Sequence, residues 1–171
     1  MRYFAGIDIG STAIKTALAD ESGRMVGWHC APTGSSFHKN SVEALNTLLA
    51  KNDVTREDVV YLVSTGYGRK LFKDANESIS EITANARGAK GLGEKYGTVR
   101  TILNIGGQDS KVISLDDEGH VKTSIMNDKC AAGTGRFLEV AARNLEVDIE
   151  ELGVLHFEAG EAPLPVNSTC T

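Results

Sequence analysis

A chain of 171 residues is long enough for one ordinary domain or two small ones. With 41% hydrophobic and 24% charged residues it is neither a disordered chain nor a coiled coil, and no apolar run approaches the ~20 residues a membrane-spanning helix needs. A net charge of −5 and a pI near 5.4 exclude a nucleic-acid partner held by counterion release.

In chain order, alternating apolar residues predict three strands at 3–9, 14–19 and 24–30. Ser41 is a candidate N-cap for a first helix whose stripe is Val42, Leu45, Leu48 and Leu49. The run Val59-Val60-Tyr61-Leu62-Val63 predicts a buried strand, and Ile82, Ala86 and Ala89 give one face of a helix from about 80 to 95. A domain boundary is expected near Gly97, dividing the chain into 1–97 and 98–171. Three more strands follow at 99–105, 111–115 and 120–126. A third helix, carrying Phe137, Leu138, Ala141 and Leu145, starts near Gly133. Trp28 reads as an interior anchor and Cys30 as a core residue of its strand. Asp8 arrives too early for a secretory signal, and only Cys30, Cys130 and Cys170 are cysteines, so a reducing, cytoplasmic setting is expected.

The chain repeats itself without a gap at an offset of 96 (104 − 8). Ile7-Asp8-Ile9-Gly10 lies over Leu103-Asn104-Ile105-Gly106, Lys15 over Lys111, Asp20 over Asp116 and Gly23 over Gly119. Each copy reads as strand, Gly turn, strand, then an acidic-Gly hairpin whose glycine takes φ > 0 without steric cost. The fold class is therefore α/β, built from duplicated βββαβα units in two lobes with a cleft.

The Gly turns carry the chemistry. An Asp leaving a strand, as Asp8 does, suits hard Mg²⁺, which prefers carboxylate and water oxygens. Gly10, Ser11 and Thr12 offer backbone N–H groups and hydroxyls to phosphate oxygens, with Lys15 as a nearby cation. In the second copy Asn104, Gly106, Gly107 and Gln108 occupy the corresponding turn. Singly, such turns are most often plain hairpins; two matched phosphate-type loops facing across a cleft would clamp a nucleotide from both sides.

These loops resemble the phosphate 1 and phosphate 2 motifs of the actin-like ATPase superfamily, whose fold is ribonuclease H-like. The segment Met126-Asn127-Asp128-Lys129-Cys130-Ala131-Ala132-Gly133-Thr134-Gly135-Arg136-Phe137-Leu138-Glu139 sharpens the likeness. With Ser64-Thr65-Gly66-Tyr67-Gly68-Arg69, Ser80-Glu81-Ile82-Thr83 and Ser168-Thr169-Cys170-Thr171, it resembles the 2-hydroxyacyl-CoA dehydratase activators and the benzoyl-CoA reductase ATPase subunits. That resemblance implies an oxygen-sensitive homodimer with one [4Fe–4S] cluster between its subunits. It implies ATP and Mg²⁺ as cofactors, and delivery of one low-potential electron to a dehydratase or reductase component. Asp8 and Glu81 are the implied catalytic residues, Glu81 near the attacking water, although Glu81 also suits a simple helix-start role. Cys130 and Cys170 are the implied cluster ligands. Two thiolates per chain are too few for a cubane, and a two-fold dimer supplies four. A zinc Cys₄ site fits the same ligands, and Cys130 as a small buried hydrophobe is the plainer alternative.

Two departures stand out. The family's second phosphate loop opens with Asp where this chain has Asn104, which brings no charge to a metal. The family also continues past the second cysteine into an adenosine-binding segment and a C-terminal helix, so the sequence reads as an N-terminal fragment with an incomplete second lobe. Other readings of the same loops are a superfamily kinase for a small carboxylate or sugar, and a nucleotide-sensing protein without turnover.

Overall fold

The computed structural model describes residues 1–160, and the chain divides into two compact units, Met1–Gly97 and Thr98–Thr171. In the first unit β1 (Tyr3–Ile9), β2 (Ala13–Asp20) and β3 (Met25–Pro32) form an antiparallel meander. After helix α1 (Phe37–Lys51), β4 (Val59–Thr65) joins parallel to the other side of β1, and the two-residue β5 (Glu77–Ser78) follows it. The sheet order is β3-β2-β1-β4-β5. A parallel β1–β4 pair needs a crossover, and α1 supplies it. The core is one sheet face and one helix stripe: Ile7, Ile9, Ile14, Leu18 and Leu62 are buried together with Leu45, Leu48 and Leu49. Each such side chain contributes roughly 1.5–3 kcal/mol of transfer free energy. Helix α2 (Glu81–Gly93) and a short 3₁₀ turn (Glu94–Tyr96) complete the unit.

In the second unit β6 (Thr101–Ile105), β7 (Ser110–Leu115) and β8 (Val121–Asn127) repeat the meander, followed by α3 (Gly135–Leu145) and α4 (Glu151–Glu158). Registers match across the repeat. Asp8 pairs with Lys15 and Ile9 with Ile14, as Asn104 pairs with Lys111 and Ile105 with Ser110. Both hairpin turns close alike. Asp20 N–H donates to Arg24 O and Asp116 N–H to His120 O, at 3.0 and 2.9 Å, with Gly23 and Gly119 at φ 80° and 84°. Helix α4 stands where the offset would place a counterpart of β4, and no such counterpart occurs among the described residues.

Three expectations are corrected. The α1 N-cap is Ser36, not Ser41, because the helix starts a turn earlier, at Phe37, whose ring packs against the core. Ser41 lies inside the helix, fully buried, and its Oγ has no partner among the described residues. Cys30 and Trp28 are both exposed rather than internal. They lie on the face of β3 opposite Gly27 and His29, which approach Asn52 and Lys51 at the end of α1. Alternation sends one parity of an edge strand to the helix and leaves the other outside.

Candidate functional site

The first Gly turn is a tight, over-determined structure. Gly10 N–H donates to Ala13 O at 3.0 Å, closing the β1–β2 hairpin. A Cβ at Gly10 would sit 2.8 Å from Ala13 O, so a larger residue is excluded at this turn. The fully buried Thr33 hooks the turn from the end of β3. Its hydroxyl donates to Gly10 O at 2.8 Å and its N–H to Thr12 O at 3.0 Å. Ser11 and Thr12 remain exposed at the tip.

Asp8 and Lys15, paired across β1 and β2, form an ion pair of 3.0 Å between Lys15 Nζ and Asp8 Oδ2, with side chains 56% and 35% exposed. They open onto a cavity of about 480 Å³ that Gly6, Thr65, Arg87 and the exposed Trp28 also line. Trp28, misplaced as an interior residue, thus belongs to the open face of the sheet beside the Asp8–Lys15 pair. The Ser64–Arg69 segment packs directly under Asp8. Gly68 N–H donates to Ile9 O at 2.8 Å, and Gly66 is left-handed at φ 88°. A Cβ at Gly66 would strike Asp8 Oδ1 and Ile9 O, so both glycines are required by close approach to β1. Tyr67 is exposed, its ring 6.5 Å from that of Phe37, and Arg69 Nη1 donates to Gly66 O at 2.9 Å. Glu81 sits in the first turn of α2, where Ser80 caps the helix by accepting Thr83 N–H at 3.1 Å. Thr65, the register partner of Asp8, donates its hydroxyl to Ile79 O at 3.2 Å, which ties the start of α2 to that end of β1.

The second Gly turn repeats the first. Gly106 N–H donates to Asp109 O at 2.8 Å, the counterpart of the Gly10–Ala13 bond. Lys111 Nζ, on a side chain only 5% exposed, contacts Asp109 Oδ2 at 2.6 Å. Asn104 and Gly107 are half-buried and Gln108 is exposed. The loop is bonded to the segment after Cys130: Ser110 Oγ donates to Gly133 O at 2.7 Å, and Gly135 and Arg136 N–H donate to Gly106 O and Gly107 O, both at 2.9 Å. Cys130 is half-buried in the connection from β8 to α3, and Asn127 Nδ2 reaches its carbonyl at 3.4 Å. Cys170 lies outside the described residues. A turn closed by Thr134 Oγ1 on Ala131 O at 2.6 Å separates Cys130 from α3, so the thiol does not stand at the helix end itself. The residues suit the expected groups in donor chemistry. The Asp8 carboxylate, partly exposed beside bare backbone, fits a hydrated Mg²⁺, and a partly exposed Cys130 thiol fits a thiolate ligand.

Sequence reasoning missed Thr33, which is 23 residues from the turn it fastens, and Asp109, whose counterpart in the first copy is Ala13. No local pattern marks Thr33. The two-residue spacing of Asp109 to Lys111 was a legible signal.

A profile of the BadF/BadG/BcrA/BcrD ATPase family matches residues 5–171. The chain is 43% identical over 169 residues to the activator of lactoyl-CoA dehydratase from Anaerotignum propionicum, covering 99% of this chain and 63% of that protein. The structure of the activator of the 2-hydroxyisocaproyl-CoA dehydratase from Clostridium difficile, solved with bound ADPNP, is 40% identical. It superposes with a TM-score of 0.85 over 98% of this chain and 61% of that one. Component A of the Acidaminococcus fermentans (R)-2-hydroxyglutaryl-CoA dehydratase also gives a TM-score of 0.85, at 34% identity, over 99% of this chain and 64% of that one. The chain thus spans less than two thirds of the length of these relatives, and its α/β fold is the actin-like one they share. By profile, sequence and fold together, it belongs to the BadF/BadG/BcrA/BcrD ATPase family.

Proposed function

We propose that the protein binds magnesium ATP through its two Gly turns and couples hydrolysis to one-electron delivery. The recipient is a 2-hydroxyacyl-CoA dehydratase or a benzoyl-CoA reductase-type component. The observation that carries this reading is the repetition of the turn itself. Both turns close with a glycine N–H on the carbonyl three residues on, and both are followed by a lysine paired with a carboxylate. Relatives named as dehydratase activators, one of them solved with ADPNP, support it.

In this reading residues 1–97 form the first lobe and 98–171 begin the second. Asp8 accepts hydrogen bonds from magnesium-bound water. Gly10, Ser11, Thr12 and Lys15 hold phosphate oxygens from one loop, and Asn104, Gly106, Gly107 and Gln108 hold them from the other. Glu81 orients the attacking water. Cys130 and Cys170 from each of two chains provide four thiolates for a [4Fe–4S] cluster, which supplies the one-electron chemistry. In this reading the setting is reducing and cytoplasmic, where cysteines stay free of disulfides.

Calorimetry with magnesium ADPNP tests the nucleotide half. Asp8→Ala and Lys15→Ala should each weaken binding at least tenfold, and unchanged affinity in both overturns the assignment of the first loop. Iron and sulfide analysis after anaerobic reconstitution tests the other half. Cys130→Ala or Cys170→Ala should each abolish iron retention, and full iron in either variant removes that cysteine from the site.

A further inference from the structure

The repeat holds an exchange of charges that bears on the second loop. In the first copy the positions are Asp8, Ala13 and Lys15; 96 residues on they are Asn104, Asp109 and Lys111. The lysine keeps its place, opposite position 8 in one strand pair and opposite position 104 in the other. Its carboxylate partner has moved from the end of the first strand to the far side of the turn. The residue that receives the glycine N–H is Ala13 in one copy and Asp109 in the other.

The two carboxylates nevertheless share three features, although Lys15 is open to solvent and Lys111 is enclosed. Each meets its lysine through Oδ2, at 3.0 Å for Asp8 and 2.6 Å for Asp109. Each is about one-third exposed, 35% and 30%. Each has Oδ1 lying where a glycine has no Cβ: Gly66 for Asp8, and Gly106, whose Cβ would fall 2.5 Å away, for Asp109. Asp109 is also the only acidic residue from Asn104 to Lys111. A loop whose strand-end residue is an amide has one carboxylate to offer a hard cation, and a hard cation takes carboxylate and water oxygens in preference to an amide.

We infer that Asp109 is the magnesium-facing carboxylate of the second loop, doing there what Asp8 does in the first. It accepts hydrogen bonds from waters on a nucleotide-bound Mg²⁺ and leaves Asn104 a neutral neighbour. This rests on the nucleotide reading above. It also alters what that reading expects of position 104: returning Asp there alone places two carboxylates on one lysine, and a single substitution is not a restoration.

The test is the magnesium dependence of ADPNP affinity, measured by calorimetry on the full chain with excess Mg²⁺ or excess chelator. Asp109→Asn should cut the gain in affinity that magnesium confers by about tenfold, roughly 1.4 kcal/mol, and change magnesium-free affinity less than threefold. The exchange variant Asn104→Asp with Asp109→Ala gives the second loop the arrangement of the first, and should recover the magnesium gain to within threefold. Equal loss with and without magnesium makes Asp109 a loop fastener only and overturns the inference, as does an unchanged magnesium gain. If Asp109→Asn fails to fold, Asp109→Ala set beside the exchange variant decides: a magnesium gain lost in the first and recovered in the second supports the inference, and any other pattern overturns it. Unsubstituted protein that binds no nucleotide sinks the underlying reading, an outcome distinct from a normal parent with an indifferent Asp109 variant.

Discussion

In the first sheet Ile7, Ile9, Ile14 and Leu18 are buried, and Asp8 and Lys15 stand on the open face. Their counterparts in the second sheet are reversed. Leu103 and Ile105 are 67% and 58% exposed, whereas Lys111, Ile113 and Leu115 are buried. Register is conserved across the repeat and the covered face is not. The middle strands record the reversal in their composition. Ile14 and Leu18 correspond to Ser110 and Ser114, while Ala17 and Ala19 correspond to Ile113 and Leu115. Among the described residues, turn geometry and strand pairing are therefore shared by the two copies and the buried parity is not. The same lysine is a solvated cation in one copy and an enclosed one in the other.

The sharpest way to break this comparison is core truncation. Leu18→Ala should cost about 3 kcal/mol in urea unfolding, while Leu103→Ala, on the corresponding strand face of the other sheet, should stay within about 0.5 kcal/mol. Equal losses would mean that the two sheets are covered alike. A smaller contrast is expected from the ion pairs. Asp109→Ala takes a carboxylate from an enclosed lysine and should cost about 2 kcal/mol, below the range for fully buried pairs because Asp109 is 30% exposed. Asp8→Ala should cost no more than about 1 kcal/mol, since Lys15 stays in water. The same denaturant series checks both.

The smallest effect concerns the hairpin turns, where the copies agree. The Ser22 hydroxyl, and then the Arg24 and Ser22 N–H groups, hold the Asp20 carboxyl below its usual 3.8. At Asp116 the His120 N–H is the main cause of the same lowering. A carboxyl depressed in the folded state stabilises fully above pH 3.8, and that contribution is lost as pH falls from there through the lowered value. Carboxyl-resolved NMR titration should place both midpoints below 3.8, and Ser22→Ala should raise the Asp20 midpoint while leaving Asp116 unmoved.

Much of the architecture was legible because it is local. Alternation marked all six meander strands, and the Asp-Glu-Ser-Gly and Asp-Asp-Glu-Gly turns fixed where each hairpin closes. What escaped depended on packing at a distance. Alternation says that Trp28 and Cys30 share a face of β3, but not that α1 takes the other one. Two serines five residues apart both suit a helix start, and the earlier one caps the helix because Phe37 joins the core from the first turn while Ser41 is enclosed within it. Residues 77–78 are too short to show a period, and nothing in the repeat announced α4. In the candidate site the glycines, lysines and Asp8 were read from spacing, whereas Thr33 and the displaced Asp109 needed coordinates.

The bonds from α3 to the second turn have an electronic consequence. The first two amides of that helix are already committed, Gly135 N–H to Gly106 O and Arg136 N–H to Gly107 O. A trans peptide aims its N–H opposite to its carbonyl, so the units that accept from the helix present the Gly107 and Gln108 N–H groups away from it. Each accepted bond polarises the peptide that accepts it. The partial positive charge of the helix end is thereby relayed through two peptide units and reappears on the loop, making Gly107 and Gln108 stronger donors than the free turn would own.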